Sequence, residues 1–198
     1  VEGLSDEALV VTKFDGQESL SSSTFHHRPC YGFCYHIDLA SRQSNLTAEQ
    51  IVDRNVELRM YRDQKLVQRV HGVARTFVQG DTGHHFTLYS LTLVPALERL
   101  SLRHNSRIFQ YKTVPEIIST LLQEMGIQDY AFSLERDCAQ REFCVQYRET
   151  DLAFLHRLAA EEGIVYSFVH EEGKHTIAFS DSSALHPSLP EPVPYNAM

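Results

Sequence analysis

The sequence has 198 residues, 42% of them hydrophobic, which is enough to bury the core of one or two domains. A formal net charge of −8, from 18 basic and 26 acidic residues, disfavours binding to nucleic acid and to anionic membranes. No apolar run approaches the roughly 18 residues of a membrane-spanning helix, and no signal peptide is recognisable, so we expect no stable membrane insertion. Four unevenly spaced cysteines are typical of reduced thiols rather than of a disulfide framework.

The first half of the chain shows the two-residue alternation of half-buried β-strands. Four apolar residues at alternate positions share one face of the first clear strand: Phe33, Tyr35, Ile37 and Leu39. Cys34 therefore points away from the main apolar side of this strand. In a half-buried strand of this kind one face packs on the core and the other lies toward solvent.

Two hairpins are predicted after this strand. The apolar pattern of residues 56–61 stops at the polar stretch 62–65, which indicates a tight reversal into a strand over 66–78. Residues 80–83, Gly-Asp-Thr-Gly, tolerate positive φ and predict a second turn before a long strand over 84–94. Closely spaced strands with turns between them predict a small β-barrel or sandwich over roughly the first hundred residues.

Residues 113–126 carry a complete set of helix signals. Thr113 and Glu116 have the spacing of a capping box, in which each side chain accepts a hydrogen bond from the other residue's backbone N–H. Gly126 supplies the left-handed stop. The helix between them places six apolar residues on one stripe: Val114, Ile117, Ile118, Leu121, Leu122 and Met125.

A second helix is predicted further along the chain, capped by Thr150 or Asp151 and ended by Gly163. Its inward side chains are Leu152, Leu155, Leu158 and Ala159. Glu161 and Glu162 lie at the negative end of its dipole, where carboxylates are unfavourable. We therefore expect a basic partner for them from outside the helix.

Strand alternation frames this second helix, at residues 143–147 before it and 164–179 after it. Glu172 and Gly173 predict a turn within the later segment. The stretch 186–194, HPSLPEPVP, has the composition of a connector rather than of a terminus. We therefore expect the chain to be a truncated piece of a longer one.

Histidine and cysteine are the ligands that zinc prefers, and five of them cluster near the start of the first strand: His26, His27, Cys30, Cys34 and His36. No second ligand pair follows at a matching spacing, so an exposed loop followed by a strand explains these residues better than a zinc site does. His84 and His85 begin a predicted strand, where one of them faces solvent by parity. The sequence thus predicts no metal site.

The search for catalytic residues gives no convincing constellation. Cys138 lies between Arg136 and Arg141, which could stabilise a thiolate, whereas Cys144 alternates with apolar strand residues. Paired carboxylates fall at helix ends or hairpin turns, where solvated charge is their usual role. These pairs are Glu149 with Asp151, Glu161 with Glu162, and Glu171 with Glu172. We expect no catalytic residues, no enzymatic activity and no cofactor.

The residues themselves point to a family. The segment 141–170, REFCVQYRETDLAFLHRLAAEEGIVYSFVH, resembles the signature stretch of VgrG spike proteins of the bacterial type VI secretion system. Residues 105–110 match the N-x-R-I-F-Q segment of that family, and residues 114–118 match the helix that follows it. The opening at 14–21 is also similar, so the resemblance covers essentially the whole chain. The loop 23–31, with its histidines and cysteine, departs from the family pattern and leaves a private metal site open.

The resemblance implies a β-rich α+β fold related to the hub of contractile phage tails. Residues 1–110 would form a first small β-barrel, and residues 111–162 an inserted α/β segment with two helices. Residues 163–198 would hold the start of a second β-barrel and the proline-rich connector. Five motif residues would hold either the fold or a trimer together: Arg107, Phe109, Gln146, Tyr147 and Arg157.

A mechanical role also follows from the resemblance. A homotrimer with two like barrels per chain presents six similar units, which would let a three-fold spike sit on the six-fold tube of Hcp. A spike-tip protein and effectors would attach through downstream regions, and the assembly would form in the bacterial cytoplasm before secretion into target cells. One alternative is the tail hub or baseplate protein of a contractile-tailed phage or prophage. A zinc-binding or hydrolytic enzyme is the second alternative.

Overall fold

The computed structural model describes residues 1–5, 8–25 and 28–185. His26, His27 and the proline-rich stretch 186–198 lie outside these residues. The described ranges contain the following strands: β1 Val10–Phe25, β2 Arg28–Ser41, β3 Asn55–Arg62, β4 Lys65–Thr82, β5 Thr87–Val94, β6 His104–Lys112, β7 Tyr130–Ser133, β8 Arg141–Thr150, β9 Val165–Glu171 and β10 Lys174–Ser180.

The helices of the described ranges are α1 Ala48–Ile51, α2 Val114–Glu124 and α3 Asp151–Glu162, with 3₁₀ helices at Ala96–Leu102 and Ser183–Leu185. None of these helices is long and apolar enough to cross a membrane. The β-rich α+β class that the sequence predicted is confirmed.

The long strands form one five-stranded sheet with the order β1-β2-β5-β4-β3, in which neighbouring strands are antiparallel. The predicted reversal between β3 and β4 is confirmed. Asp63 and Gln64 adopt positive φ there, at 50° and 62°. Two consecutive residues with positive φ match the twist of a tight β-hairpin.

The second hairpin turn lies later in the chain than the sequence indicated. β4 continues through Gly80 to Thr82, and the turn is closed by a hydrogen bond from the Gly83 backbone N–H to the Phe86 carbonyl. The prediction that His84 and His85 begin a strand is therefore wrong, because both lie in this turn. Pairing of Thr82 with Thr87 extends the ladder past the glycine that suggested the turn.

At Cys34 the five-stranded sheet is buried on both faces. Phe33, Tyr35, Ile37 and Leu39 enter a core within the curl of the sheet, as the alternation predicted. Cys34 does point away from that core, but it is only 1% exposed. The 3₁₀ helix at Ala96–Leu102, together with α2 and α3, covers this second face with a separate apolar core. The expectation of a solvent face behind this strand is therefore wrong at Cys34.

Helix α2 begins and ends where the sequence signals place it. The Thr113 backbone N–H donates to Glu116 Oε2 at 2.7 Å, and the Glu116 N–H donates back to Thr113 Oγ1 at 3.4 Å. Gly126 has φ of 72° just beyond the helix. Of the six stripe residues, the five from Val114 to Leu122 are buried, and Met125 packs at the edge of the core. The predicted capping box and stripe are thus confirmed.

Helix α3 is capped by Thr150, whose Oγ1 accepts from the Ala153 N–H at 3.0 Å, and it ends at Gly163 with φ of 68°. The sequence predicted a basic partner from outside the helix for its acidic end, and Arg141 of β8 is that partner. The two terminal nitrogens of Arg141 lie 2.6 Å from the carboxylates of Glu161 and of Glu162. This bridge offsets the unfavourable interaction of two carboxylates with the helix dipole.

The hairpin β9–β10 joins β7 in a three-stranded sheet with the order β7-β10-β9. It packs against the five-stranded sheet through Phe168, whose ring meets Phe33 edge-on at a centroid distance of 5.2 Å. Gly32 allows this approach, because a Cβ at that position would lie 2.1 Å from Phe168 Cε2. The two sheets are therefore in direct side-chain contact.

Candidate assembly surface

Strands β6 and β8 form a two-stranded antiparallel ribbon that carries most of the motif residues. Its register pairs Ile108 with Val145 and Phe109 with Cys144. Because side chains alternate along each strand, the ribbon has two distinct faces. The inner face covers the α-helical core, and the outer face is open to solvent.

The inner face anchors the ribbon to α3. Phe109 is 7% exposed and stacks on Phe154 at a centroid distance of 5.8 Å. Cys144 is buried beside it, and Gln146 is fully buried. The guanidinium of Arg107 lies 4.9 Å from the centre of the Phe109 ring. Apolar packing and a cation–π contact thus fix the ribbon on its inner side.

A buried polar network links the ribbon to both helices. Asp151 is 0% exposed and accepts hydrogen bonds from Arg103 and, at 2.8 Å, from the side-chain amide of Gln146. Arg107 donates to Gln146 Oε1 at 3.1 Å and to both oxygens of Glu124 at the end of α2. Arg103 also donates to Glu124. Arg103 and Glu124 are about one-third exposed, so the buried charge of the network is that of Asp151. Two arginines and two carboxylates balance in charge, which makes the burial of Asp151 tolerable.

The outer face of the ribbon exposes large apolar side chains side by side. Its most exposed members are Tyr147 at 65%, Ile108 at 62%, Phe143 at 57% and Val145 at 48%. We call this set the outer ribbon face. Ile108 and Val145 are direct cross-strand neighbours, and Tyr147 is paired with Ser106. Single exposed apolar residues are ordinary, but a contiguous row on one face is typical of an interaction site.

The polarity of β8 is inverted relative to an isolated half-buried strand. Phe143, Val145 and Tyr147 point to solvent, while Gln146 between them is fully buried. The network around Asp151 satisfies the buried amide, so the inverted arrangement is stable on the inside. On the outside, the exposed apolar row gains free energy when a second surface covers it.

The structure separates the uses of the five motif residues. Arg107, Phe109 and Gln146 hold the fold, since each contacts the inner core or the buried network. Arg157 lies at the surface and joins Glu149, at 2.7 Å, to the Val145 carbonyl, at 2.9 Å. Tyr147 alone among the five belongs to the outer ribbon face.

The candidate zinc ligands that the structure describes do not form a site. Cys30 and Cys34 are buried in the helical core, and burial raises the pKa of Cys34 to about 11. His36 lies 3.4 Å from Asp38 at the surface. Within residues 1–5, 8–25 and 28–185, no three His, Cys, Asp or Glu side chains come together in a way that could hold a metal ion.

The candidate nucleophiles and carboxylate pairs are also accounted for by their surroundings. Burial raises the pKa of Cys138 and of Cys144, so the neighbouring arginines do not produce a thiolate at Cys138. Each carboxylate of the three pairs has a basic partner. These ion pairs are Glu149–Arg157, Asp151–Arg103, Glu161–Arg141, Glu162–Arg141, Glu171–Lys174 and Glu172–Arg69.

One cluster was missed by the sequence analysis. His71, His170 and His175 come together where the three-stranded sheet meets the five-stranded sheet, and we call this group the histidine joint. His71 and His175 are separated by 104 residues in sequence. The turn at Glu172 and Gly173 pairs His170 with His175. His71 lies in another sheet, so no local spacing could have predicted its contact with the other two.

The family model described as the phage tail baseplate hub (GPD) matches residues 31–198. Over all 198 residues the chain is 71% identical to the actin cross-linking toxin VgrG1 of Vibrio cholerae serotype O1, strain O395. It is 67% identical to the type VI secretion system spike protein VgrG3 of Vibrio cholerae, strain N16961. The chain spans only 18% and 20% of the lengths of these two relatives.

Among solved structures, the chain is similar to the Escherichia coli c3393 protein, with a TM-score of 0.81 and 24% sequence identity. That protein is described as a component of the type VI secretion system with structural similarity to the T4 bacteriophage tail proteins gp27 and gp5. The match covers 94% of this chain and 50% of that one, and it shows a common fold. The chain therefore belongs to the phage tail baseplate hub (GPD) family, and its resemblance to VgrG spike proteins of type VI secretion is confirmed.

Proposed function

We propose that this chain is the hub module of a type VI secretion spike, where three copies join the spike to the Hcp tube. The observation that carries this proposal is the identity of 71% and 67%, over all 198 residues of this chain, to two VgrG proteins, one of them named a spike protein. The match to the baseplate hub family supports the hub position within such a machine.

Symmetry supplies the physical reason for a trimer. Three chains with two like barrels each give six similar units, which suits a tube with six-fold symmetry. In this proposal residues 1–110 form the first barrel, 111–162 the α/β insertion, and 163–198 the start of the second barrel. The module itself would hold only part of that second barrel.

The outer ribbon face supports the assembly. Its four exposed apolar side chains lie on a rigid ribbon, since the Asp151 network and the Phe109–Phe154 stack fix the opposite side. Interfaces place a few large apolar or aromatic residues at their centre and polar groups around them. We therefore assign the outer ribbon face to the contact between copies of this chain.

The module acts mechanically in this proposal and has no catalytic role. The thiols of Cys34, Cys138 and Cys144 have raised pKa values, and the carboxylate pairs are ion-paired, so neither group provides a nucleophile or an acid–base couple. The toxin named among the relatives is matched over only 18% of its length. Effectors and a spike-tip protein would attach through regions beyond this module, with assembly in the cytoplasm followed by delivery into target cells.

A tail hub of a contractile phage would share this fold and symmetry. The identities of 71% and 67% to VgrG proteins favour the secretion machine over the phage tail.

The test is the solution mass of the full-length gene product, measured by light scattering with two matched variants. Val145 is 48% exposed on the outer ribbon face, and Val67 is 57% exposed on β4. We expect a trimer for the wild type and for Val67→Glu, and smaller species for Val145→Glu. If Val145→Glu still forms a trimer, the outer ribbon face is not part of the contact between copies. A wild-type protein that stays monomeric at micromolar concentration would overturn the hub proposal itself.

A further inference from the structure

The histidine joint connects the two sheets of the molecule. His71 lies on β4 of the five-stranded sheet, and His170 and His175 lie on the hairpin β9–β10. His71 is 5% exposed and His175 is 7% exposed. Phe33 closes one side, with its ring edge-on to His170 at 5.0 Å and to His175 at 6.0 Å. The contact is thus a largely buried junction between elements far apart in sequence.

Hydrogen bonds fix where the proton sits on His175. The Ala96 backbone N–H donates to His175 Nε2 at 3.1 Å, so Nε2 must be the unprotonated nitrogen. In a neutral imidazole the proton is then on Nδ1. His175 Nδ1 faces His71 Nδ1 at 3.0 Å, and only one proton fits between them. His175 therefore donates and His71 accepts.

The same logic extends to His170. The backbone N–H of His71 donates to His170 Nδ1 at 3.2 Å, which requires an unprotonated nitrogen there as well. Each of the three rings thus uses one unprotonated nitrogen as an acceptor. Protonation of any ring would place one N–H against another and break a bond across the junction. The joint is formed only while all three rings are neutral.

The surroundings also oppose a positive charge. The pKa of His175 is lowered to about 3, mainly by burial and to a smaller extent by the charges of His71, His170 and Arg99. Burial likewise lowers the pKa of His71 and of His170. Nearby acidic groups raise the pKa of His71 and of His170, but the effect of burial is larger. These acidic groups are Glu2, Glu57 and Asp129 near His71, and Glu18 near His170.

Water can reach the junction without unfolding of the protein. A cleft of about 270 Å³ is lined by both His71 and His175, and also by Glu2, Asp129 and Lys174. The charged lining attracts water and gives protons a route to the edge of the joint.

We propose that the histidine joint is an acid-sensitive latch, which holds the β9–β10 hairpin against the five-stranded sheet while its rings are neutral and releases it when they are protonated. The folded-state pKa of each ring lies below the ordinary value of 6.5. The stabilisation is therefore fully present above about pH 6.5 and is lost as the pH falls from there toward about 3, the pKa of His175.

The size of the effect follows from His175 alone. A free imidazole with a pKa of about 6.5 is about 97% protonated at about pH 5, whereas the latched ring is still neutral. Opening of the hairpin should then be about thirtyfold more favourable at about pH 5 than at neutral pH. His71 and His170 add to this factor in the same direction.

Hydrogen exchange with mass spectrometry on the full-length product tests the latch, after correction for the intrinsic pH dependence of exchange. We expect β9 and β10 to lose about thirtyfold in protection between about pH 7.5 and about pH 5, with little change in β6 and β8. His175→Gln should flatten this pH dependence, and the exposed His104→Gln should leave it intact. A parallel loss in both regions, or an unchanged pH profile in His175→Gln, would overturn the proposal.

A second test uses the wild-type protein alone, so it does not require that a histidine variant folds. Nitrogen NMR of the histidine rings in the wild-type protein should show His175 neutral at about pH 5, with its proton on Nδ1. A His175 ring that is doubly protonated at that pH, with the hairpin still protected from exchange, would also refute the latch.

Discussion

Removal of the Asp151 carboxylate tests whether the buried network holds the ribbon in place. In Asp151→Ala, Arg103 loses its buried acceptor and the Gln146 amide loses its 2.8 Å hydrogen bond. Removing one partner of a buried ion pair costs about 3 to 5 kcal/mol. Arg103 is one-third exposed and keeps Glu124, so we expect the lower end, about 3 kcal/mol.

Urea unfolding of the 198-residue chain measures this loss. With a slope of about 1 to 3 kcal/mol per molar urea, a loss of about 3 kcal/mol lowers the midpoint by about 1 to 3 M. The control is Asp137→Ala, which removes a carboxylate from an exposed loop and should change stability by less than about 0.5 kcal/mol. A loss below about 1 kcal/mol in Asp151→Ala would refute the idea that this network anchors the ribbon.

Three further predictions follow from the packing and the charges. Gly32→Ala should destabilise the chain by about 1 to 3 kcal/mol in thermal unfolding, because its Cβ would meet Phe168 at 2.1 Å. Gly3→Ala is the control, because Gly3 and Gly32 both have positive φ but a Cβ at Gly3 would meet no other atom. Gly3→Ala should therefore destabilise the chain less, and an equal loss of stability in the two variants would contradict the steric clash with Phe168. Arg141→Ala should destabilise the chain by about 1 kcal/mol, and by less at high salt, since Glu161 and Glu162 both lose this partner at the end of α3, although Glu161 keeps Arg157; a salt-independent loss would argue against an ionic role. In the native protein at about pH 8, iodoacetamide should modify the partly exposed Cys138 well before Cys34, and mass spectrometry showing equal rates would contradict the burial of Cys34.

Local signals predicted what local interactions determine. The capping box at Thr113, the apolar stripe of α2 and the glycine stops depend on residues within one or two turns, so the sequence was sufficient. The reversal at 62–65 was predicted for the same reason. The next turn was placed too early, because Gly80 stays in the strand when its ladder continues to Thr82.

Tertiary contacts explain what the sequence could not predict. Alternation correctly separated Cys34 from Phe33, but burial of Cys34 required a layer of helices contributed by residues 96–162. Alternation in β8 likewise defined two faces. Burial of the more apolar face would place Phe143, Val145 and Tyr147 inside, whereas the structure buries the face that carries Gln146. The inverted choice depends on Asp151 and Arg107, which reach the buried Gln146 from other elements.

The central claim is that three copies of this hub module join a spike to a six-fold tube. Native mass spectrometry of the full-length product mixed with the Hcp tube protein tests it most directly. The account predicts a complex with three copies of this protein and six of Hcp, since six like barrel units would meet six subunits. A protein that stays monomeric, or a trimer that forms no complex with Hcp, would contradict it.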